Sequence, residues 1–571
     1  MYEANPVIRI QSEFELQTGL EAIAETLKKD LSDKIIAIEM YPGVTPDLIE
    51  SLVRLLEPTV TLHADRLFKS QQEINELLAR DITDDRILGR RTLYRFEDLL
   101  DDNRIEDVRA ELQAASGLRV IWGTGASLVG IADEIVYADM TRWEIILRYR
   151  TTAYANWMAD NFEEDPNRKI KRSYFVEWIL ADKLKQAILP RAKWYLDSVD
   201  DNAPKLVETA ALSVAYEQIA RQPFRLKPFF DEGVWGGYWM QEVLKVDRHK
   251  PNLAWSFDGV PEENSLLLGM ANGVLETPAQ NLVFAESIGL MGERVYGRFG
   301  SSFPIRFDLL DTMGGQNLSL QVHPTTDYIQ SVFGMPYTQD ESYYIMTAKP
   351  GTYVYAGLKP GIDREQMKAD LYAAANGEIQ FDADAYVNRI PVETHDHISY
   401  PGGTIHCSGA DMVVLEISST PNRFTFKLWD WDRVDLDGLP RPINLEHGLN
   451  NIQWNRDTDY VYRELYNRIE VLDEGEGYRV ERTGLHRSEY IDTIRHVFKV
   501  PVVHKANGSV RMLNLVGGQA VIVESVDGSF EALKINYAET FIVPAAVGDF
   551  IVRPAEENPD DFCITIEASV R

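Results

Sequence analysis

From Asn317 to His323 the chain alternates, with Leu318, Leu320 and Val322 pointing one way and Ser319, Gln321 and His323 the other. A period of two marks a strand with one buried face. The same reading puts Val414, Glu416 and Ser418 on one face of a strand and Val413, Leu415 and Ile417 on the other. It also sets Arg423, Thr425 and Lys427 against Phe424 and Phe426. The first 220 residues read differently. Ile35-Ile36-Ala37-Ile38 is a continuous apolar run like a buried parallel strand, and an amphipathic helix follows over 46–56 with Thr45 as its N-cap. Residues 60–65, 118–122 and 135–139 are further strands. Strands alternating with helices predict a parallel α/β sheet, with the helix formers of 151–220 completing it or linking it onward. From Arg221 onward short aromatic-rich strands separated by Gly, Pro and Asn turns predict an all-β region. One helix interrupts it at about 364–375, and strands at 511–515, 520–524 and 540–545 suggest a second small barrel. The acidic stretch 473–477 reads as a solvated turn or linker between the halves. The expected domains are 1–220, 221–460 and 461–571.

Composition narrows the function classes. The 571 residues carry a formal net charge of −31. A nucleic-acid or anionic-membrane partner would want a basic face, so neither is expected. An anionic substrate would need local Lys and Arg. The two cysteines, Cys407 and Cys563, are not a disulfide framework and suit a reducing, cytoplasmic compartment. Neither a signal peptide nor a spanning apolar run is evident.

Candidate chemistry centres on Gln321-Val322-His323-Pro324, whose strand aims an amide oxygen and an imidazole into the same space. A carboxylate follows at Glu341 and a second imidazole at His406. Such a set suits zinc with room left for water or substrate, although a lone strand histidine also packs as an ordinary residue. Thr394-His395-Asp396-His397 reads as a turn with solvated imidazoles. Cys407 should face away from its neighbour His406, and His496 and His504 lack partners at a useful spacing and read as structural.

In order along the chain stand Lys227-Pro228-Phe229, Val234-Trp235-Gly236-Gly237, Ala254-Trp255-Ser256, Phe303-Pro304, Leu309-Leu310-Asp311, the QVHP segment, Glu341-Ser342-Tyr343-Tyr344, Gly403-Thr404-Ile405-His406, Leu415-Glu416-Ile417 and Trp429-Asp430-Trp431-Asp432-Arg433. From about Leu226 to the C-terminus this series resembles the type I mannose-6-phosphate isomerases. The resemblance implies a cupin double barrel with a helical insert. It implies zinc held by Gln321, His323, Glu341 and His406, and a sugar phosphate substrate. Glu416 and Lys427 are the catalytic candidates; Trp235, Arg306 and Arg423 are the substrate-binding candidates. A rim salt bridge for Glu416 and a solvated strand face for Lys427 are the alternatives. Three positions depart from the family: Lys427 stands where it carries arginine, while Gln339 and Asp308 stand where it carries lysine. These departures leave a second reading open, a zinc cupin that binds a sugar or sugar phosphate without turnover, as a sensor or regulatory protein.

The first domain resembles P-loop nucleoside and uridine-type kinases, with its phosphate loop broken. The stretch Glu39-Met40-Tyr41-Pro42-Gly43-Val44-Thr45-Pro46-Asp47 has no lysine and two carboxylates. Amides, a lysine and a hydroxyl are what such a loop uses on phosphate, and carboxylates repel it. Gly123-Thr124-Gly125-Ala126 reads as a tight strand-to-helix turn.

Overall fold

The apolar run near the N-terminus forms β1 (Ile35–Met40), with all six residues buried, as a strand covered on both faces requires. The computed structural model describes residues 1–31, 33–436, 438, 441–558 and 562–571. The chain divides into two units. One comprises Val7–Gln218 with Ser265–Ala285; the other comprises Met1–Pro6, Ile219–Asn264 and Glu286–Arg571.

In the first unit β1 runs into α1 (Pro46–Leu56), β2 (Val60–His63), β3 (Arg119–Gly123), β4 (Glu134–Asp139), β5 (Trp194–Asp197) and β6 (Lys205–Glu208). The spatial order is β2-β3-β1-β4-β5-β6, closed by the short edge strand Gln17–Thr18. β1 to β5 pair in parallel and β6 is antiparallel. The parallel α/β sheet is therefore as the sequence pattern predicts. Residues 265–285 give this unit a hairpin, Ser265–Met270 with Gly273–Pro278, and a short helix.

The second unit is two β-barrels in succession. The first uses β7 (Phe229–Asp231), β8 (Trp255–Gly259), β9 (Ile305–Asp311), β10 (Leu320–Val322), β11 (Glu341–Ala348), β12 (Tyr353–Leu358), β13 (Val387–Pro391), β14 (His397–Tyr400), β15 (His406–Ser408), β16 (Met412–Ser419) and β17 (Phe426–Trp429). One sheet has the order β14-β11-β16-β9-β8-β7, the other β13-β12-β15-β10-β17. The helical insert is α2 (Arg364–Ala375), capped by Asp363, whose carboxylate accepts from the amides of Glu365 and Gln366.

The second barrel uses β18 (Glu470–Gly475), β19 (Tyr478–Arg482), β20 (Ile491–Phe498), β21 (Val502–His504), β22 (Arg511–Gly517), β23 (Ala520–Ser525), β24 (Leu533–Asn536), β25 (Thr540–Val543), β26 (Phe550–Pro554) and β27 (Cys563–Val570). Its sheets run β18-β19-β20-β27-β22-β25 and β21-β26-β23-β24. Phe498, Leu513, Val521, Phe541, Phe550 and Cys563 fill the space between them. Residues 473–477 are not a linker. They are the end of β18 and the tip of its hairpin with β19, turned at Gly477 with φ +84°.

Candidate metal centre

Register places the site residues in rows. Across the second sheet of the first barrel, Ala356, His406, Gln321 and Lys427 lie opposite one another on β12, β15, β10 and β17. Residues in one row share a face, so His406, Gln321 and Lys427 point the same way. On the other sheet Glu341, Ser418 and Arg306 form one row, and Tyr343, Glu416 and Asp308 form the next. The two inner faces thus present ligands and carboxylates to one space.

His323, Glu341 and His406 meet there, all buried. Glu341 Oε1 lies 2.5 Å from His406 Nε2, and its Oε2 lies 3.0 Å from His323 Nε2. Each histidine's other nitrogen is committed to a carbonyl. His323 Nδ1–H donates to Phe424 O at 3.2 Å, and His406 Nδ1–H donates to Thr404 O at 2.8 Å. A neutral imidazole that donates from Nδ1 carries its lone pair on Nε2. Two lone pairs therefore face one carboxylate, an arrangement that repels unless a proton or a metal cation sits among them. That donor set fits zinc. The carbonyls are the outer partners that fix the tautomer and ring orientation of metal-binding histidines. Gln321 Nε2 lies 3.4 Å from His406 Nε2, and turning the amide over would put its Oε1 there. Tyr400 stacks on the His406 ring at 4.3 Å, and Gly403 N donates to His323 O at 2.8 Å, so both imidazoles are held from behind.

The electrostatics follow from burial and proximity. Burial raises the Glu341 carboxyl, but the two imidazoles overcome it and hold the group far below its usual range. Burial lowers His323, and the Glu341 carboxylate reverses this, leaving it raised. Glu416 is pushed well above its usual value by burial and by the nearby Asp308 and Glu341 carboxylates. Burial, tempered by Arg306, lifts Asp308 to about 6. Arg306 Nη1 lies 3.7 Å from Asp308 Oδ1 and 3.9 Å from Glu416 Oε1. Burial, with Arg441 beside it, brings Lys427 down to about 8.

Other sequence expectations need correction. Trp235 is 2% exposed and packs edge-on against Trp255 at 4.7 Å. Arg423 does not share a strand face with Lys427, because β17 begins at Phe426 and Arg423 takes a left-handed φ of 69° in the preceding loop. His397 is fully buried on β14, with Nε2 2.9 Å from Ser342 Oγ. Only His395 of that pair lies in the turn, at φ 76°. The sequence also hides Asp340, which fixes the loop behind His323 and His406 by accepting from Gly402 N at 2.8 Å. An acidic residue beside a ligand gives no periodic signal.

Residues 19–221 match a family described only as a domain of unknown function (DUF8485). Among curated proteins the chain is similar to the mannose-6-phosphate isomerase ManA of Bacillus subtilis, 24% identical over 233 residues, 41% of this chain and 68% of that protein. It is likewise similar to the mannose-6-phosphate isomerase of Streptococcus mutans, 25% identical over 231 residues, 40% of this chain and 67% of that protein. Among solved structures it resembles the Bacillus subtilis mannose 6-phosphate isomerase with a TM-score of 0.48 and 18% identity, covering 61% of this chain and 99% of that one. A zinc-bound mannose 6-phosphate isomerase gives a TM-score of 0.44 and 13% identity, covering 61% of this chain and 99% of that one.

Proposed function

We propose that the second unit is a zinc-dependent aldose–ketose isomerase of sugar phosphates, interconverting mannose 6-phosphate and fructose 6-phosphate. The observation that carries this reading is the buried His323–Glu341–His406 trio, with Gln321 beside it and the Glu416 carboxyl on the facing sheet. The sequence relatives that bear the name mannose-6-phosphate isomerase support it.

Zinc held by Gln321, His323, Glu341 and His406 would polarise the substrate's carbonyl and hydroxyl oxygens. The rest is the work of the chain. Isomerisation takes a proton from C2 of the aldose and returns one to C1 through an enediol. A carboxyl raised toward neutrality is basic enough to take that proton and acidic enough to give it back. The Glu416 carboxyl, raised by burial and by the Asp308 and Glu341 carboxylates, faces the same space and is the candidate for that work. The Lys427 ammonium, in the row with Gln321, is a cation for phosphate or for the enediolate oxygens. Arg306 offsets the Asp308 and Glu416 charges and adds a second cation on the facing sheet. The buried thiols Cys407 and Cys563, outside any disulfide, are consistent with a cytoplasmic enzyme.

One observation favours the second reading, a zinc cupin that binds a sugar or sugar phosphate without turnover. Asp308 and Gln339, where the family has lysines, are buried, so that part of the site has lost positive charge. A coupled assay with a panel of phosphorylated and free aldoses, with and without zinc, separates the two. Zinc-dependent turnover of mannose 6-phosphate supports the isomerase. Zinc and sugar-phosphate binding without turnover on any aldose supports the sensor.

For the first unit, the reading is a kinase-like scaffold that has lost phosphoryl transfer. Its first strand lies inside the sheet, so the crevice for a ligand opens at the carboxyl end of β1. The chain's own carboxylate fills an anion's place there. Glu39 accepts from Gly125 N at 2.7 Å, Ser127 N at 2.8 Å and Ser127 Oγ at 2.6 Å.

A further inference from the structure

We propose that His496, His504 and Glu567 form a second divalent-metal site, a buried centre of two imidazoles and one carboxylate between the sheets of the second barrel. The sequence reading took both histidines as structural; the fold brings them together. His496 is on β20 and Glu567 on the neighbouring β27. Because His496 pairs with Thr565 and Ile494 with Glu567, the two are diagonal neighbours. His504 ends β21 in the opposite sheet, where it pairs with Phe550. One donor atom from each of the three residues falls within 4.8 Å of the others, and all three side chains are buried. In the first barrel the imidazoles face the carboxylate from the opposite sheet; here His496 shares the sheet of Glu567 and His504 faces it from the other.

The packing leaves donors that protein groups do not satisfy. His504 Nδ1 lies 2.6 Å from Glu567 Oε2, a spacing that an ion can bridge in place of the shared proton, and the ring's other nitrogen is Nε2. That nitrogen is buried without a hydrogen-bond partner among the described residues, and so is His496 Nδ1. The two rings lie 4.0 Å apart. A purely structural His504–Glu567 pair accounts for one bond and strands two buried polar atoms, which is costly. An ion among the three accounts for the cluster. Glu567 supplies the carboxylate oxygen of the cluster. Arg511 is drawn off by carbonyls, donating to Lys505 O at 3.2 Å and to Gly548 O. Phe550 stacks on His504 at 4.6 Å and fixes its plane. Mixed imidazole and carboxylate donors select a divalent first-row transition ion, zinc or ferrous iron.

Metal content of the full chain tests this without reference to isomerase activity. Protein stripped with chelator is reloaded with zinc, and in parallel with ferrous iron under argon, then desalted and measured by elemental analysis. Two ions per chain are expected in the wild type, one in His504→Gln, one in His323→Ala and none in the double variant. If His504→Gln does not fold, His323→Ala decides alone. One ion retained there supports the second site, and none overturns it. A single ion in the wild type that His504→Gln leaves in place also overturns it, whatever becomes of the isomerase reading.

Discussion

Lys427 shows how one side chain's surroundings set its use. A lysine brought down to about 8 by burial and the Arg441 charge loses its proton within the working range of an enzyme. If that charge holds the substrate, kcat/KM for mannose 6-phosphate should fall above about pH 8. In Lys427→Arg the alkaline limb should disappear below pH ~11, because guanidinium does not deprotonate there. An unchanged limb in the variant's pH profile would remove Lys427 from substrate binding. Glu416→Gln should lower kcat by about 10²–10⁴-fold, the usual worth of a general acid–base, while zinc content stays unchanged. His397 gives a stability prediction. Burial, with Arg495 adding to it, pushes its pKa down to about 3, against about 6.5 in an unfolded chain. The folded state thus prefers neutral imidazole, and the stability this gives is present above about pH 6.5. It is lost as pH falls toward 3, by at most about 1.4 kcal/mol per pH unit. Urea unfolding of His397→Gln should show a shallower loss between pH 6.5 and 4.5 than the wild type.

Strands and loops decide which of these residues were legible beforehand. Gln321, His323 and Glu416 were readable because period-two alternation fixes which way a strand residue points. Arg423 misled because the same alternation was carried three residues beyond the start of β17, into a loop with left-handed backbone. His397 misled because four polar or charged residues in a row look like a turn, while the strand after it is buried on both sides. Thr45 does precede a helix, yet its hydroxyl donates to Asp201 at 2.7 Å instead of capping the helix. The His496–His504–Glu567 cluster was invisible because it joins strands of opposite sheets, and no spacing encodes that. The loop before His406 yields a prediction at this scale. Gly403 has φ +90°, and a Cβ there would stand 2.7 Å from Asn451 O and 2.6 Å from Gln453 Cγ. Gly403→Ala should therefore shift the backbone that bonds His323 O. Titration calorimetry should find weaker zinc binding, on a protein destabilised by about 1–3 kcal/mol.

At the scale of the whole molecule, two units carry different histories of polar chemistry. In the first, the carboxylate of Glu39 holds the amides of Gly125 and Ser127, and Arg148 is held by Gly43 O, Thr45 Oγ1 and Asp201. The full chain should consequently show no ATP hydrolysis and no ATP binding at micromolar concentration by calorimetry. Micromolar affinity would mean that the Glu39 plug gives way. In the second unit, the ligands converge from two sheets, so a bound ion ties them together. A ligand present at ~1,000 times its Kd stabilises by about 4 kcal/mol, so chelation should lower the thermal midpoint and zinc should restore it. The most direct measurement is the rate of mannose 6-phosphate isomerisation by stripped and zinc-reloaded protein, wild type beside His323→Ala. The expected result is turnover only in the zinc-reloaded wild type. Absence of turnover in zinc-loaded wild type, or equal turnover in His323→Ala, would contradict the assignment of this chain as an isomerase built on that trio.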